Sequence, residues 1–173
     1  MLTRVDERAF DKRRFLFRFA LAAGVLLLAY YFPYGGVLAF ARFTYLAVYA
    51  QLAGAAIRFF DSSVQVHGTH IAGRTSLEFA TSCDAMDVLI LFSAAVLAFP
   101  ASRRQRAKAL VCALAGVTLL NLTRVVVLYA VRVDAPAWFE ALHMTFFPLV
   151  LVAASAGGFL LWAQEASRAP ARA

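Results

Sequence analysis

Three side chains that lie far apart in the sequence could together perform covalent chemistry on a carbonyl group. Cys83 offers a thiol, His143 an imidazole and Arg124 a guanidinium. A thiol is a strong nucleophile as the thiolate, and a neighbouring imidazole can accept its proton and later donate it to a leaving amine. A guanidinium can stabilise the oxyanion of a tetrahedral intermediate or orient the substrate carbonyl. The set suits cleavage of a peptide bond through a thioester.

The composition indicates that the elements carrying these residues lie in a membrane. Of the 173 residues, 62% are hydrophobic and 16% are charged, whereas soluble domains are roughly 45–50% apolar. The formal charge of +7 could suggest a nucleic-acid partner. However, the basic residues form short runs between apolar spans, which is typical of orientation signals in membrane proteins. We therefore expect one membrane domain over residues 1–173, surrounded by membrane lipids and without a nucleic-acid partner.

Four apolar stretches approach the roughly 20 residues that a helix needs to cross a bilayer. They are residues 15–32, 85–99, 107–129 and 143–162. The predicted fold is therefore an all-α integral membrane protein, a bundle of four transmembrane helices. No small-residue cleavage site follows the first stretch, so we expect it to be an anchor and not a removable signal peptide.

The basic residues predict how these spans are oriented. Lys and Arg concentrate in residues 1–18, in residues 102–108 and in the C-terminal tail, and such segments stay on the cytoplasmic side. Residues 1–14 and 163–173 are then a cytoplasmic N-terminus and a cytoplasmic tail. The segment 33–82 must both begin and end outside.

Two parts of this external segment have patterns of their own. The apolar stretch 37–60 carries Arg42, Gln51 and Arg58, and a full crossing would break the parity of the spans. We interpret it as a helix lying in the outer interface, with a fifth span as the alternative. In residues 61–82, apolar side chains at period-two spacing around two glycines predict a short extracytoplasmic β-hairpin.

The helical rise places the three reactive residues at one depth. Cys83 and Arg124 each lie about 17 residues from the cytoplasmic ends of their helices, which is roughly 25 Å. His143 opens the last helix at the same outer face. Ionisable groups within spans are costly and usually functional. Further polar residues near this level are candidate supporting residues, namely Asn121 one turn below Arg124, Asp84 beside Cys83 and Asp87 one turn below it.

Three motifs, in order along the chain, carry a family resemblance. They are Thr81-Ser82-Cys83-Asp84-Ala85-Met86-Asp87, then Asn121-Leu122-Thr123-Arg124, then His143 after Trp138-Phe139. Within a membrane frame, these motifs resemble the exosortase/archaeosortase family over about residues 35–162, and the short length and the stretch 97–106 resemble the exosortase H subgroup most. The resemblance implies a multi-pass membrane cysteine peptidase or transpeptidase. By matching position, Cys83 would be the nucleophile, Arg124 the motif arginine and His143 the motif histidine.

The resemblance also implies partners and a location. The substrates would be proteins with a C-terminal sorting signal, made of a short recognition motif, a transmembrane helix and a basic tail. Water, a lipid or a glycan would resolve the thioester. The enzyme would lie in the bacterial cytoplasmic (inner) membrane with its active site facing outward, and no metal or other cofactor is implied. Asp84 departs from the small or amide residue that many members carry there, and its carboxylate would disfavour the thiolate unless it pairs with Arg124 or His143.

Other interpretations of the same residues remain open from the sequence. Cys83 could be a small buried residue, Arg124 could reach the headgroups, and His143 could be an interfacial residue. A membrane thiol oxidoreductase would need a cysteine pair at one face, yet Cys112 is expected roughly 15 Å or more below Cys83, as a packing residue. An anion-binding transport or assembly subunit, with Arg124 as the anion site, predicts that Cys83 is dispensable.

Overall fold

The computed structural model describes residues 11–32, 36–80 and 83–168, which form five helices and one small sheet. The helices are α1 (Lys12–Tyr31), α2 (Val37–Ile57), α3 (Met86–Ala98), α4 (Arg103–Asp134) and α5 (Pro136–Arg168). The strands are β1 (Gln65–His67), β2 (His70–Ala72) and β3 (Ser76–Glu78). The predicted helical fold is confirmed, and the sheet has three strands where a two-stranded hairpin was expected.

Three helices within the described residues, α1, α4 and α5, are long and apolar enough to span a membrane. They coincide with three of the four predicted spans. Large apolar side chains such as Phe17, Leu119 and Leu149 are exposed on them. Exposed apolar surface of this extent is expected where a helix faces hydrocarbon. The chain is therefore a multi-pass membrane protein.

The fourth predicted span, 85–99, is a shorter helix. α3 has 13 residues, which rise about 20 Å and fall short of a hydrocarbon core of roughly 30 Å. It begins only at Met86, because Ala85 adopts a left-handed conformation with φ of 57°. It ends before Pro100, since a proline disfavours the helical conformation of the residue before it. Cys83 consequently lies in a turn ahead of α3 and not within the helix.

Side-chain caps fix the starts of α1 and α4. Asp11 Oδ1 accepts a hydrogen bond of 3.1 Å from the amide of Arg14. Ser102 Oγ accepts one of 3.3 Å from the amide of Gln105, while Gln105 Oε1 accepts one of 2.9 Å from the amide of Ser102. These bonds satisfy amides that the first turn of a helix leaves unpaired. The cap at Ser102 therefore fixes the tight reversal from α3 into α4.

Aromatic side chains pack together at one end of the bundle. The ring centroid of Phe99, just after α3, lies 6.5 Å from that of Phe15 in α1 and 5.5 Å from that of Trp162 in α5. The start of α1, the end of α3 and the end of α5 therefore meet at this end. Each of these adjoins one of the basic segments identified in the sequence.

The opposite end of the bundle carries the turn that contains Cys83. There the Tyr31 hydroxyl, in the last turn of α1, donates a 2.6 Å hydrogen bond to Asp87 in the first turn of α3. Tyr30 likewise bonds to Asp84. α1 and α3 are thus antiparallel neighbours, and the cysteine turn lies away from the basic segments.

Both ends of α2 lie near the end of the bundle that carries the cysteine turn. α2 is not among the candidate spans of the described chain. Near its start, Arg42 and Tyr45 border a small cavity together with Tyr30 of α1. In its last turn, Ile57 packs in one buried cluster with Tyr129 of α4. This arrangement agrees with a helix that lies along the interface, the favoured interpretation of residues 37–60.

The sheet is antiparallel in the order β1-β2-β3. Gly68 has a φ of 59° and, with Thr69, forms the two-residue turn that joins β1 to β2. A glycine at the first central position suits hairpin turns whose twist matches that of the strands. A second tight turn at Gly73 returns the chain as β3. The period-two pattern predicted the outer two strands but not β2, which holds a single buried residue, Ile71.

A buried cluster holds the sheet against α2 and α4. It contains residues of all three: Leu46, Tyr49, Ala50, Ala53, Ile57, Val64, Ile71, Phe79, Val125 and Tyr129. Tyr49 also donates a 2.9 Å hydrogen bond to the carbonyl of Thr118 in α4. The sheet is therefore fixed over the far end of α4 by apolar packing.

Asp61 forms a group of hydrogen bonds within this packing. Its carboxylate accepts hydrogen bonds of 2.6 Å from the Ser63 hydroxyl and 3.2 Å from the Arg74 amide, and a further one from the Tyr129 hydroxyl. These bonds stabilise the charged form, so they hold the pKa of Asp61 well below its usual range. A methyl group at Gly73 would collide with the Tyr129 hydroxyl, which shows how closely the sheet approaches α4.

Asp61→Asn is expected to lower the Tm of the detergent-solubilised protein at pH 7 by a few degrees, because a neutral amide accepts weaker hydrogen bonds. The pKa of Asp61 is lower in the folded protein than in the unfolded chain, where it is about 3.9. Its contribution to stability is therefore complete above that value and is lost as the pH falls through the folded-state pKa. As the pH is lowered below about 4, the Tm should therefore fall less steeply in Asp61→Asn than in the wild type. Asp134→Asn, at an exposed position, is the matched control, and parallel curves for Asp61→Asn and wild type would contradict the role given to Asp61.

Candidate active site

Cys83 lies in the turn between the sheet and α3. Its amide donates a 2.9 Å hydrogen bond to the carbonyl of Ala80, and its carbonyl accepts one of 2.7 Å from Asn121 Nδ2 of α4. The left-handed conformation of Ala85 is uncommon for a residue with a side chain, so the surrounding contacts must hold this turn. Thr81 and Ser82, which open the cysteine motif, lie outside the described residues.

His143 lies in a widened turn of α5, Leu142–Phe146. There the amide of Phe147 donates to the carbonyl of Leu142, five residues earlier. Such π turns occur frequently at functional sites. The imidazole Nε2 lies 3.4 Å from Cys83 Sγ, which is a hydrogen-bond distance for sulfur. The Phe139 ring, one turn earlier, lies 5.3 Å from the imidazole, centroid to centroid.

Arg124 is buried in α4, one turn beyond Asn121, with only 5% of its surface exposed. Its Nη2 donates a 3.1 Å hydrogen bond to the backbone carbonyl of His143. The guanidinium also borders the cavity onto which Cys83 and His143 open. A positive charge in this place can stabilise negative charge that develops on a group bound in the cavity.

The thiol, the imidazole and the guanidinium share a cavity of about 430 Å³. One wall is the sheet, with His70 and Ile71 of β2, all three residues of β3, and Phe79. The other wall is formed by α4 and α5. At the rim, the guanidinium of Arg132 lies 4.8 Å from the centroid of the Phe139 ring. In the part of the chain that the structure describes, no group of three or more His, Cys, Asp or Glu side chains could hold a metal ion.

The structure brings together the residues that the depth argument placed at one level. Cys83, Arg124 and His143 all border the cavity, and Asn121 lies behind the cysteine turn, fully buried. Cys112 instead borders a different groove, between α4 and α5, and is exposed. Its predicted place in the packed core is therefore wrong, because the face of α4 that carries it is not covered.

Asp84 does not pair as the sequence suggested. Its carboxylate accepts a 2.8 Å hydrogen bond from the amide of Met86 and another from the Tyr30 hydroxyl. Among the described residues it forms no ion pair with Arg124 or His143. Burial raises the pKa of the Asp84 carboxyl, because the charged form loses solvation. A carboxyl that is more easily protonated opposes a neighbouring thiolate less.

Two features around the site were not predicted from the sequence. Tyr30 and Tyr31 at the end of α1 bind the two acidic residues of the cysteine motif, so Asp84 and Asp87 hold the turn from behind and do not border the cavity. Adjacent tyrosines at the end of one apolar span could have signalled such partners. The contact of Arg132 with the Phe139 ring had no sequence signal, because it crosses the break between α4 and α5.

The fold and the site define a multi-pass membrane protein in which a thiol and an imidazole meet at one end of a helical bundle. The sequence model of the family described as Transmembrane exosortase (Exosortase_EpsH) matches residues 9–161. Because this match covers most of the chain, the protein belongs to the transmembrane exosortase family, as the sequence motifs predicted. No curated protein and no solved structure matches the chain. Membership of the exosortase H subgroup stays a prediction.

His143→Ala is expected to slow the alkylation of Cys83 by N-ethylmaleimide about tenfold at pH 7, because no imidazole remains to accept the thiol proton. The rate should be measured in a Cys112→Ala background, so that only Cys83 reacts. His67→Ala, which alters an exposed histidine of β1, is the control and should react at the unaltered rate. An equally fast reaction in His143→Ala would show that the thiol and imidazole do not act as a pair.

Proposed function

We propose that this exosortase is a membrane cysteine peptidase and transpeptidase that cleaves C-terminal sorting signals. The observation that carries the proposal is the 3.4 Å approach of Cys83 Sγ to His143 Nε2, in a cavity that a buried arginine also borders. Family membership supports substrates with a recognition motif, a transmembrane helix and a basic tail. Cys83, His143 and Arg124 are the proposed catalytic residues, and Asn121 is a positioning residue.

The first half of the proposed reaction forms a thioester. His143 Nε2 takes the proton from Cys83 Sγ, and the thiolate attacks the carbonyl carbon of the scissile peptide bond. The carbonyl electrons move to oxygen, where Arg124 stabilises the negative charge. When the carbon–nitrogen bond breaks, its electrons leave with the nitrogen, which takes the proton held by His143. The exported part of the substrate remains on Cys83, and the C-terminal helix departs.

The second half resolves the thioester. Water, or an amine or hydroxyl of an acceptor, gives its proton to His143 as it attacks the thioester carbonyl. The carbon–sulfur bond then breaks, and the proton returns to the sulfur. A lipid or a glycan is the proposed acceptor for transpeptidation. Hydrolysis and transfer use the same residues, so the site geometry serves both.

A groove between α4 and α5 supports the proposed route of the substrate helix. Its volume is about 620 Å³, and small residues border it on both helices, including Ala113 and Gly116 of α4 and Gly158 of α5. Small residues allow transmembrane helices to approach closely. The groove reaches Leu120, one turn before Arg124. A helix lying there would present its outer end to the cavity.

The proposed location follows from the two ends of the bundle. The basic segments adjoin one end and the cavity opens at the other. With the basic segments on the cytoplasmic side, the cavity faces outward from a bacterial inner membrane, and residues 1–173 work as one membrane domain. The sheet then lies on the outer side, where the recognition motif of the substrate would arrive.

Cys83→Ala is expected to abolish the shortening of a co-expressed reporter. The reporter carries, at its C-terminus, a recognition motif, an apolar helix and a basic tail taken from a protein of the same genome. Without the thiol no thioester can form, so the reporter should remain full-length on a gel. Cys112→Ala is the matched control and should still process the reporter, because Cys112 borders the helix groove and not the cavity, and alanine keeps a small residue in that groove.

The same experiment separates the competing functions. If Cys83→Ala still processes the reporter, the nucleophile assigned here is incorrect. A different result would support the anion-binding interpretation instead. In that case neither the wild type nor any variant shortens the reporter, and only Arg124→Ala abolishes its export or assembly. All variants should be compared at equal amounts in the membrane.

Arg124→Lys is expected to lower the rate of reporter cleavage about a hundredfold. The lysine ammonium keeps the positive charge but lacks the planar set of hydrogen-bond donors of a guanidinium. Asn121→Ala should lower it about tenfold through loss of one hydrogen bond to the cysteine turn. Rates of Cys83 alkylation, measured in parallel, should change less than cleavage in Arg124→Lys. Thr123→Ala is the control on α4, since its hydroxyl bonds only to its own helix at Leu119; equal losses in all three variants would point to misfolding.

A further inference from the structure

The outer edge of β3 carries hydrogen-bonding groups without a partner strand. In the antiparallel register, Leu77 pairs with Ile71 and Phe79 donates a 2.8 Å hydrogen bond to the carbonyl of Thr69. Because hydrogen-bonded residues alternate along a strand, the odd-numbered residues of β3 face β2. The amide and carbonyl groups of Ser76 and Glu78 therefore point to the opposite edge.

No described strand pairs with this outer edge, since β3 is the last strand of the sheet. Within the described chain, no backbone hydrogen bond joins the amide or carbonyl of Ser76 or Glu78 to another segment. β3 thus offers two donors and two acceptors in a row.

A short edge strand at a protein surface is ordinary by itself. What distinguishes β3 is its position, because Ser76, Leu77 and Glu78 border the same cavity as Cys83 and His143. Only four residues separate Glu78 from the thiol. An extended chain lying along β3 would run beside the cavity that Cys83 borders.

We propose that the recognition motif of the substrate binds as a fourth strand on β3 and pairs with Ser76 and Glu78. This inference rests on the proposed function and adds how its substrate is held. Main-chain hydrogen bonds supply affinity in such strand addition, and alternate side chains enter pockets that supply specificity. An extended chain also exposes its peptide bonds, so the scissile carbonyl can reach Cys83 Sγ.

Glu78→Pro tests the edge directly. Proline removes the outward amide hydrogen of residue 78 but no hydrogen bond to β2, and edge strands tolerate proline where the amide faces outward. Glu78→Ala is the matched variant, because both substitutions remove the side chain and its contact with His70. With a reporter that the wild type cleaves and Cys83→Ala does not, Glu78→Pro should raise KM about tenfold relative to Glu78→Ala. Alkylation of Cys83 should proceed equally fast in both variants.

A second measurement does not depend on cleavage. In a Cys83→Ala, Cys112→Ala background, Ser76→Cys is oxidised against reporters that carry one cysteine at successive motif positions. Side chains alternate between the faces of a strand, so disulfides should form with every second position. If disulfides form at every second position but the wild type does not cleave the reporter, strand docking would be supported and the proposed reaction overturned.

Two results would overturn the strand proposal while leaving the proposed reaction intact. The first is equal KM in Glu78→Pro and Glu78→Ala with a reporter that is cleaved normally. The second is cross-linking of Ser76→Cys that shows no preference for alternate motif positions.

Discussion

The hydrogen bond from Asn121 to the carbonyl of Cys83 is the contact around which the site is built. A buried non-helical turn carries backbone groups that must find hydrogen-bond partners within the protein. α4 supplies that donor, and one turn later Arg124 supplies another to the carbonyl of His143. One helix therefore holds two separate segments by their main chain, and the thiol and imidazole remain available to each other.

The sheet depends on the same helix. Tyr129, near the end of α4, bonds to Asp61, and the buried cluster fixes the sheet over the last turns. Because the sheet covers this end of the helical bundle, a cavity forms between the sheet on one side and α4 and α5 on the other. A partly enclosed site strengthens electrostatic interactions within it, because less water screens them. The charge of Arg124 can therefore act strongly on negative charge within the cavity.

The acidic residues of the cysteine motif help to hold the cysteine turn in place. Asp84 and Asp87 accept hydrogen bonds from Tyr30 and Tyr31 of α1. Both α1 and α4 therefore hold the turn by hydrogen bonds. For the proposed reaction, holding Cys83 in place before the substrate arrives would reduce the entropy that the reaction otherwise loses. The Asp84 carboxylate is thus occupied by contacts with Tyr30 and the Met86 amide and does not border the cavity.

The sequence by itself determined the membrane setting, most of the helices and the shared depth of Cys83, Arg124 and His143, because hydrophobic length and helical rise are local properties. It did not determine where α3 begins, because the left-handed turn at Ala85 is held by contacts from other helices. Nor could it give the partners of Asp84, the middle strand of the sheet or the exposed position of Cys112. Only the tertiary structure decided these, since each depends on which surfaces of distant segments meet.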